Sequence, residues 1–345
     1  MKSSYNENDV ILLLNDMTGK VTPVSQEERK RRVENGEYVR SIIIEEYEVS
    51  KEYTDIVNSN MEEYLEEMAR TVGVLAERLY QVKGEKLVLV DIARAGIPIG
   101  ILLKRYLKMY HNVNIPHYSI SLVKGLDKAA MKYIMNNHDK SGIQFVDGWT
   151  GKGTVAKEIR KSVEEDFPGV DPSLAVLSDC INVAKYVGTR EDIYIPHSPL
   201  NAAVTGLVSI TVLNEEFENP TGFHSAIYLE NLEKDDQSAE YIERVVAKFS
   251  KQEVIEVGDN PLIDDTEIDK IASTLNKDKK ELNPGINEAA RAVLRRTLEK
   301  LVVSDVNDKD LKVLIKLAES KNVPVVEMDL NGYKAVSVAC DNYIR

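Results

Sequence analysis

The stretch that decides the fold is Ile143-Gln-Phe-Val-Asp147-Gly-Trp-Thr-Gly151-Lys-Gly-Thr154. Its apolar residues predict a buried strand with Asp147 at the tip, followed by a glycine-rich turn and a helix over 155–165. Glycines let backbone N–H groups approach an anion closely, and a helix N-terminus adds the positive end of its dipole. This order predicts a phosphate-binding loop, although the same residues can also simply turn the chain and cap a helix.

The spacing of this loop excludes two common phosphate-binding motifs. A Walker loop requires Ser or Thr after its lysine, whereas Lys152 is followed by Gly153. A Rossmann fingerprint has the pattern G-x-G-x-x-G. Gly151 and Gly153 match its first two glycines, but no glycine stands three residues after Gly153. The remaining pattern is a strand, an acid, Thr-Gly-x-Gly-Thr and a helix.

That pattern resembles the phosphoribosyl-diphosphate (PRPP) loop of type I phosphoribosyltransferases. The resemblance implies that Asp147 contacts the ribose and Mg²⁺, and that PRPP or a related ribose phosphate is the partner of the loop. Gly148 stands where the family usually has a second acid. The residues expected to bind the phosphate are Thr150, Gly151, Lys152, Gly153 and Thr154.

A second strand-to-helix turn lies about fifty residues upstream. The apolar run 87–91 ends in an acid and is followed by Arg94, Ala95 and Gly96 before a helix predicted over 99–110. This turn resembles the diphosphate-binding loop of the same family, and a guanidinium beside backbone donors suits a diphosphate. It can equally be an ordinary βα turn with an incidental arginine. Lys124 falls in the stretch 117–140, where the family keeps a mobile loop over the substrate.

The arrangement of elements predicts an α/β fold. Short apolar strands at 87–91, 143–147 and 174–178 alternate with helices, which is typical of a parallel sheet covered on both faces. Ligands of such sheets lie beyond the carboxyl ends of the strands. Before the sheet, apolar residues at helical spacing over 61–79 predict a packing helix, and the charged run 27–32 predicts a solvated helix face.

The C-terminal region has a different organisation. We expect a phosphoribosyltransferase-like domain over 1–255, a turn-rich acidic linker over 256–279 and a small α/β domain over 280–345. The last resembles the L7Ae/Pelota RNA-binding fold, in which a G-x-N-E-x-x-[KR] turn contacts structured RNA. The matching residues are Gly285, Asn287, Glu288 and Arg291.

Two properties of that region leave an alternative open. Asn287 and Glu288 are also favourable residues at a helix start. Residues 281–345 contain ten Lys or Arg and ten Asp or Glu, so the region is neutral overall. It is therefore a poor general RNA binder, although one specific RNA structure remains compatible with it.

Several strings together resemble one bacterial family. It consists of phosphoribosyltransferase-like proteins encoded with tellurite-resistance and stress-response genes, with a C-terminal Pelota-type RNA-binding domain. The family also carries the label cysteine protease StiP. The strings are Ala93-Arg-Ala-Gly-Ile-Pro-Ile-Gly100, Pro116-His-Tyr-Ser-Ile-Ser121, Phe145-Val-Asp-Gly-Trp-Thr-Gly-Lys-Gly153, Gly188-Thr-Arg-Glu-Asp192 and Leu200-Asn-Ala-Ala-Val-Thr-Gly-Leu-Val208.

Composition places the chain among ordinary globular proteins. Its 345 residues, 43% hydrophobic and 29% charged, suggest two domains with a sizeable core. The net charge of −13 argues against broad nucleic-acid binding. We expect no membrane association, because apolar runs are short and the N-terminus has no signal-peptide core. The two cysteines, Cys180 and Cys340, are far apart and fit a reducing cytoplasm.

The sequence leaves three hypotheses for function. The first is phosphoribosyl transfer to an unknown acceptor, with Arg94, Lys124 and Asp147 as catalytic residues and Mg²⁺ as cofactor. The second is a cysteine hydrolase, which needs a thiolate beside a histidine. In this chain Val183 and Pro199 stand near the positions where the resemblance implies cysteines. The third is a noncatalytic module that binds a nucleotide and RNA, which Gly148 favours.

Overall fold

The computed structural model describes residues 1–46, 49–209, 211–212, 219, 221–259 and 266–340. The strands are β1 (Ile11–Leu12), β2 (Asn15–Asp16), β3 (Val88–Ile92), β4 (His117–Ile120), β5 (Ile143–Trp149), β6 (Leu174–Ser178), β7 (Tyr186–Thr189), β8 (Ser225–Ala226), β9 (Leu282–Pro284), β10 (Leu298–Val303), β11 (Val325–Glu327) and β12 (Ala335–Ala339). The α-helices are α1 (Gln26–Glu34), α2 (Lys51–Lys83), α3 (Ile97–His111), α4 (Lys128–Asn137), α5 (Thr154–Asp166), α6 (Ser238–Val246), α7 (Glu267–Leu275), α8 (Ile286–Arg295) and α9 (Lys312–Ser320).

The main sheet is parallel throughout and has the strand order β1-β4-β3-β5-β6-β7. Every residue of β3, β5 and β6 is buried, which explains their continuous apolar sequences. In the register of neighbouring strands Asp91 lies beside Val146, and Asp147 lies beside Val176. The acids at the tips of β3 and β5 therefore reach the same edge of the sheet.

Helices cover both faces of this sheet. Leu75 of α2 and Leu103 of α3 belong to one apolar cluster with Leu177 of β6. Met131 of α4 and Ile159 of α5 pack with Phe145 on the opposite face. The prediction of an α/β fold with a parallel sheet is confirmed, and the finer prediction of a type I phosphoribosyltransferase arrangement stays a prediction.

The long helix α2 connects the main sheet to the C-terminal region. It begins after Ser50, whose side chain accepts a hydrogen bond from the backbone N–H of Tyr53. Further along, the Tyr64 hydroxyl donates to the Lys309 carbonyl at 2.6 Å. Apolar residues of α2, α8 and α9 belong to one continuous cluster, so the two regions share a core.

A second sheet, of strand order β11-β10-β12-β9, forms the C-terminal region. Its β10–β11 pair is parallel, and its other pairs are antiparallel. Ile271 of α7 packs with Tyr333 and with Cys180, which follows β6. Because α7 lies inside 256–279, this part of the predicted linker is a packed helix, and the proposed boundary at 280 falls too late.

Three further expectations differ from the structure. Strand β5 continues through Gly148 and Trp149, two residues beyond the predicted strand. The stretch 117–140 is mostly regular, with β4, α4 and only 121–127 between them, so it is not a long loop. The sequence of 188–192 predicts a connection between two apolar strands, whereas the stretch leaves β7 without entering another strand. In the described ranges, no helix is both long and apolar enough to cross a membrane.

Candidate functional site

A cavity of about 630 Å³ lies at the carboxyl ends of β3 and β5. The turns after these strands form its floor, including Ala95 and Thr154. Lys124, between β4 and α4, lines one side, and helix α8 of the C-terminal region lines another. Ligands of parallel sheets bind at this edge. In this protein, helix α8, which packs with the second sheet, forms one wall of the cavity.

The start of helix α5 has the geometry of an anion site. Gly153 precedes the helix with φ +71°, a left-handed conformation that glycine adopts without strain. As the N-cap residue, Gly153 has no side chain that could accept from the first turn, and Thr154 at the first helical position is exposed. The first N–H groups of α5 therefore lack the side-chain acceptor that usually satisfies them, which suits an anionic ligand.

Other predicted loop residues are held by the protein itself. The Thr150 hydroxyl donates to Asp179 at 2.5 Å. The Gly151 carbonyl accepts from the Tyr333 hydroxyl at 3.1 Å, and the Lys152 ammonium donates to a backbone carbonyl at 2.7 Å. The Thr150 and Lys152 side chains thus have partners within the protein, and their direct contact with a phosphate stays a prediction.

Asp147 lies in the cavity wall in an apolar setting. Its side chain accepts a hydrogen bond from the Gly148 backbone N–H at 2.8 Å. Burial raises the pKa of Asp147 to about 7, against the opposing effects of that bond and of Arg291. The described residues contain no cluster of three metal-ligating side chains. Asp147 can therefore supply one carboxylate to Mg²⁺, and the ligand's own oxygens would have to supply the rest.

Arg94 is committed to a buried ion pair. Its guanidinium donates to Glu46 at 2.5 Å and to Asn201 at 2.6 Å. It also donates to the Val208 carbonyl at 2.8 Å. Arg94 lines the cavity, yet Glu46 compensates its charge, so the expected role in holding a diphosphate is not seen in this arrangement.

The turn around Arg94 is tightly packed. A Cβ atom at Gly96 would lie 2.9 Å from the Val146 carbonyl oxygen and 3.1 Å from the Asp91 Cβ. Gly96 therefore lets helix α3 start close to β5, a packing role that accompanies the predicted ligand role. Lys124 reaches the cavity from the other side, with its ammonium 4.0 Å from the ring centre of Tyr38.

The RNA-type motif faces the main sheet in this structure. Gly285 has φ +86°, and the Ile286 N–H donates to Asp192 at 3.0 Å. Asn287, only 1% exposed, accepts from the Ile195 N–H at 2.8 Å and donates to the Ile193 carbonyl at 2.9 Å. An RNA contact by Asn287 stays a prediction, and it requires the side chain to leave these partners.

The remaining motif residues reach the phosphate-type loop. Glu288 accepts from the Trp149 indole N–H at 3.2 Å and from Arg291 at 3.0 Å. The Arg291 guanidinium lies 5.7 Å from the centre of the Trp149 ring. A Cβ atom at Gly151 would lie 2.8 Å from the Glu288 Cγ. The start of α8 is therefore docked on the glycine-rich turn.

Positive charge predominates in the cavity. Among the described residues that line it, the acids are Asp147, Glu158 and Glu288. The basic residues are Arg29, Arg94, Lys124 and Lys152 from the N-terminal side and Arg291, Arg295 and Arg296 from α8 and its end. This local excess contrasts with the net charge of −13 of the whole chain and favours an anionic ligand.

Neither cysteine has the setting of a catalytic thiolate. Cys180 is 2% exposed, and burial together with the nearby acids Asp192 and Asp179 raises the pKa of its thiol well above the usual range. Cys340 is exposed at the far end of β12. The buried His197 contacts Tyr241 at 3.0 Å, and burial lowers its pKa to about 3.

Fold and site together define the class: an α/β protein whose parallel sheet has a cavity with mainly basic lining at the carboxyl ends of its strands, bordered by a small C-terminal α/β region. Residues 3–246 match the family described as tellurite-like stress resistance cysteine protease StiP, so the chain belongs to this family. Residues 265–340 match the PELOTA RNA binding domain. The cysteine protease StiP of Acinetobacter baylyi is 28% identical over 365 residues, covering 97% of this chain and 93% of that protein.

Part of this chain is similar to a solved structure. A xanthine-guanine-hypoxanthine phosphoribosyltransferase of Helicobacter pylori is 18% identical, with 39% of this chain and 76% of that chain covered. The TM-score is 0.24, which is too low to support an argument about fold or function.

Several site residues were missed by sequence reasoning. Glu46, Asn201 and Asp179 are the partners of predicted residues, and nothing in the local pattern marks them. Arg295 and Arg296 could have been predicted to lie near Glu288, because they continue the helical spacing that starts at that residue. That spacing predicts a shared helix face, whereas the cavity beside it depends on how the two sheets are arranged.

Proposed function

We propose that this member of the StiP family binds PRPP or a related ribose phosphate and transfers its phosphoribosyl group to an acceptor. The observation that carries the proposal is the helix α5 N-terminus without a side-chain cap, which opens into a cavity with excess positive charge. The 5′-phosphate would bind at the backbone N–H groups of Gly153 and Thr154 and at the exposed Thr154 hydroxyl. Asp147, at the adjacent strand tip, would face the ribose hydroxyls.

In this proposal the protein acts mainly by position and charge. The bond between the ribose C1 and the diphosphate breaks, the diphosphate leaves with the bonding electrons, and the acceptor forms the new bond to C1. The positive wall of the cavity stabilises the departing negative charge, and the site holds the acceptor in position for attack. No covalent nucleophile from the protein is needed.

Mg²⁺ fits this proposal only as an ion shared with the ligand. Such ions commonly use one or two carboxylates together with substrate phosphate oxygens. Asp147, at the strand tip, would be the carboxylate that holds the ion, and when bound the ion would neutralise part of the diphosphate charge. The Pelota match supports a proposal that RNA is a partner of the C-terminal region.

Calorimetric titration with PRPP and Mg²⁺ tests the binding step. We expect saturable binding by the wild type and weaker binding by Asp147→Asn and Thr154→Val. Thr274→Val in helix α7 removes a hydroxyl away from the cavity and is the matched control. The absence of PRPP binding by folded wild-type protein would refute the proposal.

Transfer requires a second measurement. Release of pyrophosphate from PRPP should depend on an added acceptor, screened among bases, small metabolites and RNA ends. Tight PRPP binding without release in any mixture would favour the second candidate, a noncatalytic ribose-phosphate sensor. The observations that favour this candidate are Gly148 in place of an acid and the engagement of Arg94 by Glu46.

Proteolysis, which the family description names, has less support from the geometry of this chain. Cys180 is buried, and burial together with nearby acids raises the pKa of its thiol, which disfavours the thiolate that such a hydrolase needs. If peptidase activity is found, Cys180→Ala and Cys340→Ala should each leave it unchanged. Loss of activity in either variant would restore the cysteine hydrolase hypothesis.

A further inference from the structure

Helix α8 presents a stripe of charged residues to the cavity. Glu288, Arg291, Ala292 and Arg295 line it, at positions i, i+3, i+4 and i+7 of the helix, and Arg296 follows at the helix end. Residues with this spacing share one helix face. The stripe carries three guanidinium groups and one carboxylate, so the wall that the C-terminal region contributes is positive.

The stripe is held in place by a specific docking contact. Asp192 accepts the Ile286 N–H at 3.0 Å and the Lys334 N–H at 3.0 Å. Asn287 uses both ends of its amide on backbone groups of Ile193 and Ile195. These bonds lie on the buried side of the helix start, so they fix its direction while the arginines lie on the cavity side.

Arg291 is the arginine of α8 that is linked through its contacts to the strand tip of the proposed ribose site. It pairs with Glu288 at 3.0 Å, and Glu288 in turn contacts Trp149, two residues after Asp147. The charge of Arg291 also acts on the pKa of Asp147. Arg94, the residue expected to hold a diphosphate, is already neutralised by Glu46 and bonded to Asn201. Helix α8 therefore adds positive charge to the part of the cavity that contains Asp147.

We infer that helix α8 of the C-terminal region forms a diphosphate subsite in this cavity, with Arg291 and Arg295 as the groups that bind the anion. This inference rests on the proposed ribose-phosphate site. It assigns the C-terminal region a direct part in ligand recognition, and it makes Asn287 and Asp192 positioning residues for that subsite. The chemical class of the ligand is a sugar phosphate that also carries a diphosphate.

The test compares three ligands by calorimetry on the full chain: PRPP, ribose 5-phosphate and inorganic pyrophosphate, each with Mg²⁺. The variants are Arg295→Gln alone and Arg291→Gln with Arg295→Gln. The control, Lys300→Gln with Lys309→Gln, removes two charges from the same region outside the cavity. We expect about tenfold weaker binding of PRPP and pyrophosphate per lost arginine, with ribose 5-phosphate and the control unchanged.

Each outcome decides between the two proposals. If PRPP keeps its advantage over ribose 5-phosphate in the arginine variants, the α8 subsite is refuted. The subsite is also refuted if wild-type protein does not bind pyrophosphate. If pyrophosphate binds through the arginines but neither sugar phosphate binds, the subsite stands and the proposed function fails. Arg295→Gln lies away from the docking contacts, so it answers the question even if the double variant does not fold.

Discussion

Gly148 lies near the end of strand β5 and Gly151 lies in the turn three residues later, and their surroundings differ. A Cβ atom at Gly151 would lie 2.8 Å from the Glu288 Cγ and 3.1 Å from the Pro284 carbonyl oxygen. At Gly148 the nearest atom would be 3.8 Å away. The glycine that the sequence associates with phosphate is thus also required for docking of α8.

These distances predict different costs for the two alanine substitutions. We expect Gly151→Ala to lower the free energy of unfolding by about 1 to 3 kcal/mol, because Pro284 and Glu288 must shift. Gly148→Ala is the matched control and should change stability by less than about 1 kcal/mol. Urea unfolding measures both. Equal stability of the two variants would show that the contact with α8 is not tight.

The two cysteines predict a selective labelling pattern. Iodoacetamide at pH 8 should modify Cys340 in the folded protein and leave Cys180 unmodified, because burial and nearby acids keep the Cys180 thiol protonated. Mass spectrometry of the peptides gives the result, and labelling in urea provides the control for Cys180. Rapid labelling of Cys180 in folded protein would contradict the burial and would reopen the hydrolase hypothesis.

His197 predicts a pH dependence of stability. Burial lowers its pKa to about 3, below the value of about 6.5 in an unfolded chain. The unfolded state therefore binds a proton that the folded state does not, so stability is full above pH 6.5 and is lost as the pH falls toward 3. Between pH 6 and 4 the wild type should lose up to about 1.4 kcal/mol per pH unit more than His197→Asn. Urea unfolding at several pH values measures the difference, and parallel curves would refute it.

At the scale of elements, helix α8 joins the two regions through its first turn. Gly285 precedes the helix, and the Asp192 carboxylate accepts a hydrogen bond from the Ile286 N–H in its first turn. Asn287 donates to the Ile193 carbonyl, in the chain after β7. A side chain that pairs with two backbone groups in a buried position stabilises the docking, because removing it leaves both groups unpaired.

Asn287→Ala should therefore lower the free energy of unfolding by about 2 to 4 kcal/mol. The exposed Asn307 bonds only to a neighbouring aspartate at 3.3 Å among its described side-chain contacts, so Asn307→Ala should cost less than about 0.5 kcal/mol. Thermal or urea unfolding compares the two. If Asn287→Ala proves as stable as its control, the docked arrangement of α8 does not contribute to folding.

Elements that depend on local pattern were predicted closely. Strand β6 agrees with the predicted 174–178, and helix α5 extends the predicted 155–165 by one residue at each end. The local pattern does not predict helix α7, because the acidic and turn-forming residues around it are typical of a linker. Its apolar residues Ile268 and Ile271 become informative only once a surface is present to cover them.

At the scale of the whole molecule, the two sheets share one apolar core and one cavity. Leu65 of α2 belongs to the same cluster as Leu314 of α9, and the cavity has walls from both regions. The chain should therefore unfold in a single cooperative transition in calorimetry. PRPP at a hundred times its dissociation constant should raise the free energy of unfolding by about 2.7 kcal/mol. Two separate transitions, of which PRPP shifts only the first, would contradict both the shared core and the shared site.

The sequence by itself determined the alternation of strands and helices and the position of the glycine-rich turn at a strand tip. These properties depend on apolar periodicity and on the conformational freedom of glycine, which are readable within a dozen neighbouring residues. The strand tips of a parallel sheet meet at one edge, so even the approximate location of the site followed from the order of elements.

Only the tertiary structure decided which groups face the cavity. Thr150 is 29 residues from Asp179, Arg94 is 48 from Glu46, and Asn287 is 94 from Ile193 along the chain. Whether a polar side chain binds a ligand or the protein depends on the partner that packing brings within hydrogen-bond distance. A buried polar group must find such a partner, and the partner's position is set by the packing of the two sheets, not by neighbouring sequence.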